Sequence, residues 1–353
     1  MSERGNRPGA DVSREVLATL IAGRDLDAAT AETLMNAVMA GEVPTARLAG
    51  ILAALRAKGE TVAEISGLAR AMRDNAVAVR PARTDLVDTC GTGGDGTGTF
   101  NISTATALVA AGMGCGVAKH GNRAVSSACG SADVLEELGV DLNLAPDAVA
   151  DLIDAVGLGF LFAPGLHPAM RHAMPARREL GVRTVFNVLG PLTNPAGARR
   201  QLLGVFDPEL CAPLAEVLGA LGAEKAFVVH GAGGLDEVSL LGTTRVAALV
   251  DGTVTTSTFD PRDVGLAPCR PEDLAGGDAA RNAAIIRGIL AGEPGPAADV
   301  VALNAAFVAV VADKASDVAG GLALARAALA SGAAARVLEN LVARSAALAG
   351  GGA

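Results

Sequence analysis

The sequence predicts an α/β protein: a small all-helical N-terminal lobe followed by a larger domain with a mostly parallel central sheet flanked by helices. Three observations carry that expectation. Apolar residues recur at helical spacing, without strand-like alternation, from about residue 12 to residue 80. Beyond that point short apolar runs alternate with helical patterns to the C-terminus, as strands and helices do around a parallel sheet. A chain of 353 residues is also too long for one small core and suits one large domain with a smaller companion.

In chain order, VLATLIAG, AETLMNAVMAG, TARLAGILAALRAKG and VAEISGLARAMRDN are helical segments separated by short polar breaks, which places a helical domain at 1–82. The character changes at Pro81-Ala82-Arg83-Thr84. LVDTC then reads as a strand that runs into GTGGDGTGTF and the helix NISTATALVAAGMG. GVAKHG reads as a second strand, NRAVSSACGS as a polar loop and ADVLEELG as a helix. His167 to Leu180 reads as helix, and GVRTVFNVLGPLTNPAGA as a structured loop of the kind that crosses between lobes, so part of 165–200 is expected to join the small lobe. LLGVF, KAFVVHG and VAALVDG are further strands; APLAEVLGALG, DAARNAAIIRGILAG, VVALNAAFVAVVAD and GGLALARAALASGAAARVLENLV are helical, completing a large domain over 83–353.

Composition narrows the function. With 2% aromatics and neither Trp nor Tyr, the core must be aliphatic. Forty-four glycines and only 19% charged residues suit a tightly wound fold and not a disordered chain. A net charge of −9 without a Lys/Arg block disfavours nucleic acid as a partner but leaves small anions open. Cys90, Cys115, Cys129, Cys211 and Cys269 are odd in number and form no CxxC pair, so neither a disulfide framework nor a thiolate metal site is expected. The first residues are polar, and no apolar run reaches the roughly 18 to 20 residues of a membrane span, so no membrane association and a cytoplasmic location are expected.

Chemistry concentrates at a few motifs. Gly91-Thr92-Gly93-Gly94-Asp95 joins a strand to a helix, where glycines let backbone N–H groups approach an anion. It matches neither the Walker A pattern nor GxGxxG, so it implies neither NTPase chemistry nor dinucleotide binding. Asn101-Ile102-Ser103-Thr104 sets an amide and two hydroxyls at the start of the following helix, able to cap it or to reach a phosphate and its metal. Lys119-His120-Gly121-Asn122-Arg123 gathers two cations, an imidazole and an amide after the second strand. Ser126, Ser127 and Ser131 offer hydroxyls to phosphate oxygens, Ser131 also as an N-cap, and Cys129 reads as a packed thiol. Asp236-Glu237 are adjacent carboxylates suited to Mg²⁺. His167 and Arg177 lie ten residues apart, and Arg177 could hold a carboxylate with a two-pronged hydrogen bond. Each motif alone also has a plain structural role open to it: a tight turn, a cap, a solvated loop or an acidic turn.

Taken in this order, GTGGD, NIST, KHGNRAVSS, SADVLEELG, HPAMR, GVRTVFNVLGPLTNP and GLDE resemble the anthranilate phosphoribosyltransferase family over nearly the whole chain. The resemblance implies a nucleoside phosphorylase/phosphoribosyltransferase-like fold and a homodimer paired through the small lobes. The reaction it implies transfers the phosphoribosyl group of 5-phosphoribosyl 1-pyrophosphate to anthranilate in tryptophan biosynthesis. It assigns donor contacts to Gly91, Gly94, Asp95, Thr99, Asn101, Ile102, Ser103 and Thr104. It extends them through Lys119, His120, Gly121, Asn122, Arg123, Ala124, Val125, Ser126 and Ser127 to Ser131. Mg²⁺ falls to Ser103, Asp236 and Glu237; anthranilate falls to Gly91, Asn122 and Arg177, with His120 and His167 lining its path. No residue is assigned as a general base. Ala128 and Cys129 stand where the family commonly carries a basic residue and a hydroxyl, so only backbone contacts are expected there. A pyrimidine nucleoside phosphorylase-like enzyme fits the HPAMR and GPLTNP segments poorly, and a nucleic-acid-binding paralogue fits poorly with the −9 charge and the retained acidic pair.

Overall fold

Helices α1 (Pro8–Ile21), α2 (Ala28–Met39), α3 (Thr45–Lys58) and α4 (Val62–Asp74) open the chain in a computed structural model that describes residues 8–124 and 128–350. Local chemistry fixes how α4 starts and where it packs. Thr61 Oγ1 accepts from Glu64 N at 3.2 Å while the Glu64 carboxylate accepts from Thr61 N at 2.8 Å, a reciprocal cap. The same buried carboxylate takes Leu26 N and Lys58 Nζ, both at 3.0 Å, so its charge is paired inside the lobe. Gly67 lets α4 approach α2: a β-carbon there would stand 2.1 Å from Ala28 O.

The larger domain follows as β1 (Leu86–Gly91), α5 (Ile102–Gly112), β2 (Gly116–Gly121), α6 (Ser131–Glu137), α7 (Pro146–Val156) and β3 (Leu158–Phe162). The chain then passes through α8 (Ala163–Leu166), α9 (Met174–Leu180) and α10 (Phe186–Leu189) to β4 (Arg200–Gly204), α11 (Cys211–Ala220), β5 (Lys225–Gly231), β6 (Thr244–Val250) and β7 (Thr253–Phe259). Helices α12 (Ala279–Leu290), α13 (Pro296–Val311), α14 (Val318–Ala330) and α15 (Ala333–Gly350) close it.

The seven strands form one sheet in the order β3-β2-β1-β4-β5-β6-β7, parallel from β3 to β5 and antiparallel for β6 and β7. From β1 the chain winds outward to β2 and β3 on one side and later to β4 and β5 on the other. The carboxyl ends of β1 and β4 therefore flank a topological switch point, where open α/β sheets leave a crevice.

Both sheet faces are covered. One core packs α5, α6 and α12–α15 against the sheet. The other runs from α1–α4 through α11 to β4–β6 and takes in Ala173, Ala176, Phe186, Leu189 and Leu192. The segment between β3 and β4 thus packs with the helical lobe. Among the described residues no single helix is long and apolar enough to cross a membrane; α14 and α15 meet that test only as a pair bent by 62°, and both contribute to the core.

Several elements differ from the sequence reading. His167 to Leu180 is not one helix but a 3-10 turn (Pro168–His172) followed by α9, because Pro168 and Pro175 lack the N–H that a continuous helix needs. The segment read as a loop contains α10 and a 3-10 turn at Gly190–Leu192. Strands β3 and β7 and helix α7 were not expected. β7, TVTTSTF, is a threonine-rich, largely exposed edge strand without the apolar alternation that marks a buried one. The final helical run is two helices, broken at Ser331-Gly332, where Gly332 takes φ 69°.

Candidate active site

Four of the five parallel strands end in glycine, Gly91, Gly121, Gly204 and Gly231, and three of these admit the loop that carries Asp236 and Glu237. A β-carbon on Gly204 would stand 1.5 Å from Asp236 O, one on Gly91 2.3 Å from Asp236 Oδ2, and one on Gly231 2.5 Å from Glu237 O. The two acidic residues consequently lie directly across the carboxyl ends of β1, β4 and β5. The glycine loop after β1 folds onto them: Gly93 N donates to Asp236 Oδ2 at 2.7 Å, and Thr92 N to Gly204 O at 2.9 Å. Gly93, Gly94, Gly96 and Gly98 take φ between 66° and 75°, conformations that only glycine adopts freely.

Asp95, Asp236 and Glu237 form an acidic cluster. Burial and the neighbouring Asp95 charge push Asp236 up to about 7; burial and Asp236 push Glu237 up to about 8. A buried cation, Lys119, 2% exposed, interacts with Glu237 and Asp236, and its Nζ donates to Thr89 O and, at 3.2 Å, to Ser103 Oγ. Burial lowers the Lys119 pKa against the pull of these carboxylates. One buried ammonium thus feels Asp88 as well as Glu237 and Asp236. Among the described residues no group of three or more His, Cys, Asp or Glu side chains forms a ready metal cage. An all-oxygen set of one or two carboxylates and a hydroxyl nevertheless fits Mg²⁺, which keeps several waters and completes its shell with substrate phosphates.

At the start of α5, Asn101 occupies the N-cap position without capping. Its Nδ2 donates instead to Cys129 O at 3.2 Å, and its Oδ1 accepts from Asn282 Nδ2 at 2.9 Å. The backbone carbonyl of Cys129 is therefore engaged by Asn101. Thr99 bridges to Ala275, while Ile102 and Thr104 turn inward, each 1% exposed, with Thr104 Oγ1 unpartnered among the described residues.

Lys119, His120 and Gly121 lie within β2 and not after it, so Lys119 faces the sheet edge from inside. His120 Nδ1 is 3.1 Å from Gly190 O, and since a carbonyl can only accept, Nδ1 holds the proton in that bond. The Nε2 atoms of His120 and His167 have no partner among the described residues, and the two rings lie 5.1 Å apart. Burial lowers His120 to about 3 and His167 to about 4, so both imidazoles are neutral near pH 7. Arg177 stacks over Phe186 at 5.1 Å; burial lowers its pKa, and no described carboxylate pairs with it.

The remaining predicted residues line the loop after β2. Asn122 Oδ1 accepts from Arg123 N at 2.7 Å, and Arg123 forms ion pairs with Asp133 at 3.2 Å and Glu136 at 2.5 Å. Ala124 N donates to Asp133 Oδ2 at 2.9 Å. Ser131 is the first residue of α6, with Gly130 at the cap, and its Oγ donates to Asn122 O at 3.3 Å. Val125, Ser126 and Ser127 lie outside the described residues. Sequence reasoning missed Arg183, which donates to Gly94 O and lies 4.2 Å over the Phe206 ring, and Asn282, 1% exposed behind Asn101. Neither carries a local signal.

Comparison with known proteins gives the family and the fold. Residues 14–76 match the helical bundle domain of the glycosyl transferase family and residues 83–335 its a/b domain. The chain is 54% identical over 327 residues to the anthranilate phosphoribosyltransferase of Moorella thermoacetica, covering 93% of this chain and 96% of the relative. It superposes on the crystal structure of anthranilate phosphoribosyltransferase from Thermus thermophilus with a TM-score of 0.89 at 51% identity, covering 94% and 99% of the two chains. The Saccharomyces cerevisiae enzyme in complex with PRPP and Mg superposes with a TM-score of 0.88 at 28% identity, covering 96% and 99%.

Proposed function

The chain belongs to the glycosyl transferase family as an anthranilate phosphoribosyltransferase of tryptophan biosynthesis, and from that premise we propose how its switch-point crevice performs the transfer. The donor's diphosphate lies along Gly91, Gly94 and Asp95 and the start of α5, with Lys119, Asn122 and Ser131 at its flank. Asp236, Glu237 and Ser103 would hold Mg²⁺, which when bound neutralises the charge of the departing pyrophosphate. Anthranilate lies toward the helical lobe, its carboxylate on Arg177 and its ring against His120 and His167.

The bond from C1 of the ribose to the pyrophosphate oxygen breaks with its electron pair leaving on pyrophosphate, a bond from C1 to the anthranilate nitrogen forms, and the proton that this nitrogen loses passes to the departing pyrophosphate or to water. Because an aryl amine needs little activation toward a cationic carbon, this chain's contribution is alignment more than deprotonation. The desolvated guanidinium of Arg177 supports the anthranilate end, since no described carboxylate pairs with it. Pairing of two copies through the helical lobe and a cytoplasmic location belong to the same proposal.

The observation that carries this reading is the placement of Asp236 and Glu237 against Gly91, Gly204 and Gly231, across the strand ends beside the glycine loop. Anthranilate fluorescence tests it: emission should fall only when enzyme, donor and Mg²⁺ are all present, and steady emission in the full mixture would refute it.

A further inference from the structure

The loop after β2 is closed at its base by one carboxylate. Asp133 Oδ2, in the first turn of α6, accepts from Ala124 N at 2.9 Å and from Gly130 N at 2.8 Å, tying together both ends of the loop. The limbs touch so closely that a β-carbon on Gly130 would stand 2.3 Å from Ala124 N. Asn122 O accepts from Ala132 N at 3.1 Å and Ser131 Oγ at 3.3 Å, joining the limbs again. Arg123 fastens this base from outside. It donates to Asp133 Oδ1 at 3.2 Å and forks onto both oxygens of Glu136 at 2.5 and 2.8 Å, with its guanidinium 5.5 Å from the Phe162 ring centroid.

We propose that Arg123 is a positioning residue that acts on the donor site through Glu136 and Asp133, and not a direct ligand of the donor's phosphates. The inference rests on the donor-site reading given above. A lone exposed ion pair orders little, but a bidentate arginine shared with a second acid and an aromatic face holds one geometry. Swinging Arg123 onto a phosphate would break three hydrogen bonds and leave the Glu136 carboxylate without its guanidinium partner. What Arg123 secures is the register of Asn122 and Ser131, the described residues of this loop placed nearest the substrates by the reading above.

A steady-state double-mutant cycle separates positioning from contact. Arg123→Ala and Glu136→Ala are each expected to raise the donor KM about tenfold with kcat within about twofold, and the double variant should be no worse than either single. Glu136→Gln, which keeps the shape and removes the charge, should behave as Glu136→Ala. Losses that multiply in the double variant would mean that Arg123 touches the donor and would overturn the inference, as would an unchanged KM in either single variant. If the wild-type enzyme does not saturate with donor, the donor-site reading and this inference fall together; normal wild-type saturation with multiplying losses overturns this inference alone.

Discussion

The carbonyl oxygen of Asp236 occupies the space that a β-carbon on Gly204 would need, at 1.5 Å. The end of β4 and the acidic loop are thus in backbone contact, and the loop's height above the sheet is set by the absence of a side chain. Gly204→Ala must lift Asp236 away from Gly93 N and from the glycine loop. Its kcat/KM should fall by more than about a hundredfold, with a stability loss of about 1–3 kcal/mol from overpacking, measured by kinetics and urea unfolding. A fully active Gly204→Ala enzyme would show that the acidic loop does not depend on this contact.

Asp236→Ala combined with Glu237→Ala should abolish Mg²⁺-dependent turnover while the fold persists. In the free wild-type protein both carboxyls titrate high, at about 7 and about 8, so protons compete with the cation. The rise in melting temperature on adding Mg²⁺ and pyrophosphate should therefore be larger at pH 8 than at pH 6. An equal rise at both values would contradict the assigned carboxylates.

Arg177→Ala should raise the anthranilate KM by about tenfold to a hundredfold, the cost of losing a bidentate carboxylate contact, while the donor KM stays put. Steady-state kinetics with each substrate varied in turn measures both constants. An unchanged anthranilate KM would remove the arginine from the acceptor site.

Acid should destabilise the protein through its paired histidines. His120 and His167 titrate at about 3 and about 4 when folded against about 6.5 when unfolded, so the unfolded chain binds more protons between those values. Their contribution to stability is fully present above pH 6.5 and falls as the pH drops toward 4, with a limiting slope of about 1.4 kcal/mol per pH unit for each histidine. Asp236 and Glu237 act in the opposite sense, because their folded values are raised and they cost stability as the pH rises through 4 to 8. Denaturant unfolding of His120→Asn/His167→Asn beside wild type cancels the carboxylates and isolates the histidines. The stability difference should shrink as the pH falls, and a constant difference would refute the buried neutral pair.

Much of this was legible in the sequence because the residue types are themselves the signal. Gly91 to Asp95, Asp236-Glu237 and the helical spacing of residues 12–80 announce a turn at strand ends, a pair of adjacent carboxylates and a helical lobe from local pattern alone. What was hidden depends on partners far along the chain. Asn101 reads as able to cap its helix, yet its amide is taken by Cys129 O and Asn282, and nothing local to Lys119 shows that it is buried against Thr89 and Ser103. Arg183 carries no local signal, since the group it holds, Gly94 O, becomes its neighbour only in the fold, and Asp133 reads locally as a cap for Gly130 N without showing that it also takes Ala124 N. β7 carries no sequence signal because its exposed threonines lack the apolar alternation of a half-buried strand.

The central claim is that a diphosphate and its cation sit on the carboxyl ends of β1 and β4, facing Arg177 across the crevice. Diffraction from crystals soaked with the phosphoribosyl donor, Mn²⁺ as an anomalous substitute for Mg²⁺, and a fluorinated anthranilate tests it most directly. Anomalous density should appear between Asp236, Glu237 and the diphosphate, with the benzoate on Arg177. Density for cation and donor anywhere other than this crevice, in crystals that bind both, would contradict the account.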